Sequence, residues 1–140
     1  DGKIINDVEK SDIILLGISR TSKTPTSIYL ANRGYKTCNI PIINKNSVPI
    51  KLIKNPKIFC VIGLTVEPLR LLDVRKNRMN FMNEKKSSSY TNIEKIKSEL
   101  GIAKNIFKKY SWPTIDVTRK SVEETAASVI KIYDIVRSQR

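Results

Sequence analysis

Two short apolar runs constrain this chain more than any other feature. Residues 12–16 (DIILL) and 57–64 (KIFCVIGL) lack the alternation of a half-buried strand and are too short for buried helices. A strand that is apolar on both faces must be covered on both, and that is the situation of a parallel sheet between layers of helix. The rest of the chain supplies the covering layers. Apolar residues recur at helical spacing over 26–32, closed by Gly34, and over 69–79, opened by Pro68. The same period returns in Ile93, Ile96, Leu100, Ala103, Phe107 and Tyr110, and again in Val122, Ala126, Val129, Ile130 and Tyr133. Residues 35–43, with Pro41 and Pro49 nearby, and 113–117 (PTIDV) read as the remaining strands. Thr91-x-x-Glu94 and Ser121-x-x-Glu124 have the pattern of capping boxes. The order strand, helix, strand, strand, helix, helix, strand, helix is that of an α/β domain with a mostly parallel sheet flanked by helices. The 140 residues suffice for one domain, 1–140, and show no internal repeat. Residues 80–90 (NFMNEKKSSSY) are polar and serine-rich and are expected to form a loop, able to serve as a mobile lid.

Composition then removes whole classes of chemistry. Without a histidine there is no Ser-His-Asp or Cys-His pair, no imidazole shuttle and no histidine-ligated zinc in the chain. Its two cysteines, Cys38 and Cys60, lie in strand-like segments and read as core thiols. The net charge of +13 first suggests an anionic partner such as nucleic acid. However, residues 1–70 hold 11 basic and 5 acidic side chains and residues 71–140 hold 15 and 8, so the two halves carry +6 and +7 and neither is a basic arm. Lysines outnumber arginines 18 to 8, whereas arginine is the better reader of phosphates and bases. The charge therefore reads as a solvated lysine surface, and nucleic-acid binding as a minor alternative. No apolar run approaches the ~20 residues of a membrane span, and a cytoplasmic location is the default expectation.

The stretch GISRTSKT, residues 17–24, carries the chemistry. It follows G-x-x-x-x-G-K-[ST] except that Ser22 replaces the second glycine, and it stands between a buried strand and a helix, as a phosphate loop requires. In such a loop Gly17 permits a tight turn, and the backbone N–H groups of Ile18, Ser19, Arg20, Thr21 and Ser22 form an anion nest at a helix N-terminus. Lys23 adds a point charge for the phosphates. Thr24 offers a hydroxyl for Mg²⁺. Serine at position 22 can present its N–H provided the backbone there does not need a positive φ; the competing reading is an ordinary strand-to-helix turn. Pro25 suits a first helical turn.

Other candidates are weaker. Asp116 falls near the C-terminal end of its strand, where α/β sites form; it could hold Mg²⁺ or take a hydroxyl proton, against the alternative of a turn carboxylate bonded to Thr118 or a backbone N–H. Arg20, Arg70, Arg75 and Arg78 are candidates to clamp phosphoryl oxygens, with Arg20 favoured because it is inside the loop. Asp12 lies at the opposite end of its strand from the loop and reads as structural.

The segment GISRTSKTPTSIYLANRGYK (17–36) resembles the phosphate-loop region of the bacterial and plant pyruvate, phosphate dikinase regulatory proteins, where serine before the lysine is common. The resemblance extends through VIGLTVEPLRL (61–71), Arg75, Arg78, Tyr90 and WPTIDVTRKSVEETA (112–126), nearly the whole chain from Ser11. It implies a P-loop nucleotide-binding domain and a bifunctional enzyme. One activity is an ADP-dependent serine/threonine kinase that inactivates the dikinase on a threonine; the other is a phosphorylase that uses inorganic phosphate to remove the group as pyrophosphate. Residues 17–24 would bind ADP or phosphate, with Mg²⁺ as an additional cofactor. The RGYK and IDVT forms favour the dikinase over phosphoenolpyruvate synthase as the target. A small-molecule P-loop kinase is the alternative of another kind, and the oligomeric state is open. Members of the family are about twice this length, so the chain is expected to be the C-terminal, nucleotide-binding half. Val66-Glu67-Pro68-Leu69 departs from the family's usual small polar residue before the proline and acidic residue after it.

Overall fold

A computed structural model describes residues 8–82 and 91–139. Its strands are β1 (Ile13–Gly17), β2 (Thr37–Pro41), β3 (Val61–Thr65) and β4 (Thr114–Asp116), and they form one parallel sheet in the order β2-β1-β3-β4. The inner strands β1 and β3 are buried at every position, as their uninterrupted apolar sequences require, whereas the outer strand β2 alternates. β3 begins at Val61, later than the expected 57, because residues 55–59 turn first, with Ile58 N–H bonded to the Asn55 carbonyl.

The helices are α1 (Lys23–Asn32), α2 (Ile50–Lys54), α3 (Pro68–Met82), α4 (Ile93–Lys109) and α5 (Val122–Ser138). Helix α1 starts three residues before the expected Thr26, since Pro25 takes the third position of the first turn, where its missing N–H costs nothing. It ends as expected at Gly34 (φ 92°), where the N–H groups of Gly34 and Tyr35 bond the carbonyls of Ala31 and Leu30. The capping box of α5 is present, with Ser121 and Glu124 bonded reciprocally. That of α4 is not. Asn92, not Thr91, caps it, accepting from the N–H groups of Glu94 and Lys95. The one-turn helix α2 has no counterpart among the expected elements. Residues 80–82, expected as loop, belong to α3; residues 83–90 lie outside the described residues.

Helix α4 packs on β3, α5 packs on α1, and α3 packs chiefly on α4, with Arg75 of α3 reaching the Ser19 carbonyl just after the end of β1. Cys38 and Cys60 are buried core thiols, as expected. The contact of α4 with the sheet is close: a Cβ at Gly63 would fall 2.5 Å from Phe107 Cδ2 and Cε2. Gly63→Ala is therefore expected to destabilise the fold by about 1–3 kcal/mol through overpacking. Urea unfolding checks this, and parental stability would show that the ring can withdraw. No helix among the described residues is long and apolar enough to cross a membrane.

Candidate functional site

β1 ends at Gly17, and the chain then turns through residues 18–22 into α1. The glycine is required by close packing: a Cβ there would meet Thr21 Oγ1 at 2.5 Å and the Leu64 carbonyl oxygen at 3.2 Å. Ile18 and Thr21 are buried beneath the turn. The Ile18 carbonyl is a latch, accepting from Thr21 Oγ1 at 2.8 Å and from Lys23 Nζ at 2.7 Å. Arg20 and Ser22 both adopt left-handed backbone (φ 71° and 68°), so left-handed residues alternate with ordinary ones, as in an anion nest.

Ser22 thus carries the positive φ that would have suited the missing glycine, and the condition placed on it is not met. Its side chain makes no capping bond to α1 in return. Ser22→Gly should relieve left-handed strain at the expense of some unfolded-state entropy, a net gain of about 1 kcal/mol. A raised melting temperature with parental ligand affinity is the expected result; a lowered one would mean that the serine is not strained.

An open cleft of 430 Å³ lies over the turn, lined by Ser19, Arg20, Ser22, Lys23, Thr24, Pro25, Pro41 at the end of β2, and Val74 of α3. Of the expected loop residues, Gly17, Ile18 and Thr21 form the base and the other five line the opening. Lys23 is partly buried, and burial, followed by repulsion from Arg75 and Arg20, lowers its pKa from 10.5 to about 8. An ammonium pressed by two guanidiniums is the electrostatic condition that a bound polyanion relieves.

The candidate arginines separate. Arg70 and Arg78 lie exposed on α3. Arg75 is 1% exposed, and its fork reaches Glu99 Oε2 of α4 at 2.8 Å and the Ser19 carbonyl at 3.3 Å. Asp116 does not line the cleft. It is the turn carboxylate of the alternative reading: its Oδ1 accepts from the Thr118 N–H at 2.9 Å and from the Thr118 hydroxyl, which itself accepts from Glu67 N–H at 2.8 Å. The Thr118 hydroxyl holds the Asp116 carboxyl below its ordinary pKa. Asp12 is structural, accepting from Lys36 N–H. Val74, Pro41 and Glu99 were not legible as site residues. Arg75 gave one clue: it stands four residues after Leu71, at a core position of α3.

The matched family model is that of the kinase/pyrophosphorylases, and it spans residues 1–130, including the loop, the cleft and the Arg75–Glu99 pair. The chain belongs to the kinase/pyrophosphorylase family. Similar proteins of this family include those of Pelagibacter ubique (68% identical over 96% of this chain), Sphingopyxis alaskensis (53% over 90%) and Erythrobacter litoralis (47% over 96%). All three are named as pyruvate, phosphate dikinase regulatory proteins, and the matches cover 49%, 46% and 48% of their lengths. The chain therefore spans about half the length of the kinase/pyrophosphorylases that it matches.

Proposed function

We propose that this chain is the nucleotide- and phosphate-binding part of a bifunctional regulator of pyruvate, phosphate dikinase. In one direction the terminal phosphoryl group of ADP passes to a threonine hydroxyl of the dikinase, with AMP leaving and the hydroxyl proton lost. In the other, an oxygen of inorganic phosphate attacks the phosphothreonine, and pyrophosphate leaves as the hydroxyl is restored. The observation that carries this reading is the turn of residues 18–22, with left-handed Arg20 and Ser22, at the N-terminus of α1, its cleft lined by Arg20 and the part-buried Lys23.

Phosphoryl transfer rests on positioning and on electrostatic stabilisation, so a chain without histidine can perform it. The nest and Lys23 would hold the phosphate that is not transferred, or the free phosphate in the reverse reaction, and Arg20 would face the group in transfer. Thr24 lines the cleft, and its hydroxyl would serve as a protein ligand to a magnesium ion that arrives on the phosphates. Such an ion would neutralise phosphate charge. Asp116 lies outside the cleft lining, with its carboxylate engaged by Thr118, and takes no part in this reading.

A single nest for both reactions requires ADP and inorganic phosphate to exclude one another. Calorimetric titration of the complete protein should show the apparent Kd for ADP rising in proportion to added phosphate. Independent binding of the two would refute the shared site. Assays on purified dikinase and on phosphoenolpyruvate synthase identify the target.

A further inference from the structure

Among the described residues Arg75 is the largest fully buried side chain, and its fork reaches the loop at the Ser19 carbonyl. A guanidinium cannot lose its charge at ordinary pH, so burying one is costly unless its donors are engaged. Here the fork bridges two elements: one nitrogen donates to Glu99 of α4, whose carboxylate is 38% exposed, and another to the Ser19 carbonyl at the crest of the loop. We propose that Arg75 is a positioning residue that ties the phosphate loop to α4 through Glu99 and thereby sets the shape of the anion nest.

The geometry supplies the mechanism. In a planar trans peptide the carbonyl and the following N–H point in opposite directions. Holding the Ser19 carbonyl on Arg75 therefore turns the Arg20 N–H away from Arg75 and fixes the peptide plane that enters the left-handed residue Arg20. The Ile18 carbonyl is held separately by Thr21 and Lys23, so each of the first two peptide units of the turn has its own anchor. Lysine could not replace this arrangement in full, because an ammonium lacks a planar fork with two fixed directions.

This inference rests on the loop being the phosphate site, and the test keeps the two apart. The complete protein and its Arg75→Met, Glu99→Gln and doubly substituted forms are titrated with ADP and with inorganic phosphate, and the transfer rate is measured at saturating ADP. Arg75→Met is expected to weaken both ligands by at least about tenfold and to raise KM to match, with kcat within about twofold of the parent. Glu99→Gln is expected to weaken both several-fold by itself and to add nothing in the Arg75→Met background. A general loosening of the fold would instead lower the melting temperature and the active fraction without this split.

If Arg75→Met fails to fold, Glu99→Gln, which leaves the guanidinium in place, decides alone by the same rise in KM. Unchanged affinities in the substituted forms overturn the positioning role. So does a kcat lowered about a hundredfold at parental KM, which would place Arg75 on the reacting phosphoryl group. A parent that binds neither ADP nor phosphate overturns the phosphate-site reading, and this inference with it.

Discussion

Replacing Lys23 by methionine is expected to abolish both directions of phosphoryl transfer while making the unliganded protein more stable. The two effects share one origin. The pKa of Lys23 is lowered from 10.5 to about 8, first by burial and then by the charges of Arg75 and Arg20. At neutral pH the folded state must hold the charged form against that shift, which costs on the order of 3 kcal/mol. Because the folded pKa lies below the unfolded one, this cost is complete below pH 8 and disappears as pH rises from 8 to 10.5. Methionine has similar length and no charge, so it removes the cost at every pH. Urea unfolding of both proteins should show the variant more stable at pH 7 and the difference shrinking by pH 9.5; a parent that is the more stable at pH 7 contradicts this account. Both activities should fall by at least about a hundredfold, the scale on which preorganised charge acts in such sites. Survival of either near the parental rate would separate the two reactions into different sites.

Gly17→Ala is expected to damage affinity and stability together. The added Cβ would stand 2.5 Å from Thr21 Oγ1, and Thr21 is completely buried, so its hydroxyl can yield only by leaving the Ile18 carbonyl. On the other side the Leu64 carbonyl oxygen is 3.2 Å away and belongs to β3. Overpacking on this scale costs about 1–3 kcal/mol, and opening the Ile18 latch should weaken ADP and phosphate by at least about tenfold. Gly63→Ala is the control. It crowds Phe107 with a similar stability cost but should leave affinity at the parental value, since Phe107 does not line the cleft. Adding Thr21→Ala to Gly17→Ala should recover stability without recovering affinity. Full recovery of both would show that the latch is dispensable.

The architecture was legible where sequence and environment agree. Uninterrupted apolar runs can only be inner strands of a covered sheet, and β1 and β3 are those strands. The strand–turn–helix around residues 17–24 was legible because a buried run ends at Gly17 and helical spacing resumes after Lys23. What escaped depends on packing. Thr91 and Asn92 are both acceptable caps by type, and only the backbone path decides that Asn92 reaches two N–H groups. Ser22 conceals its left-handed backbone because its residue type does not announce it. The interior place of Arg75 was hidden by its charge: periodicity puts it in line with Leu71, whereas residue type sends it to the surface. Asp116 shows the converse. Its position at a strand end suggested catalysis, and its neighbour Thr118 occupies it locally.

The placement of β1 between β2 and β3 has a consequence for how the molecule comes apart. Hydrogen exchange follows the cheapest opening that exposes an amide. Among the described residues β4, three residues long, and β2 each have a single neighbour, so both can open locally. Freeing β1 means breaking a ladder on each side together with the apolar layers that cover it. The turn at residues 18–22 therefore leaves one of the two inner strands, and the amides of β1 are expected to exchange more slowly than those of β2 and β4, so that fraying at the margins of the sheet reaches the cleft only at Pro41.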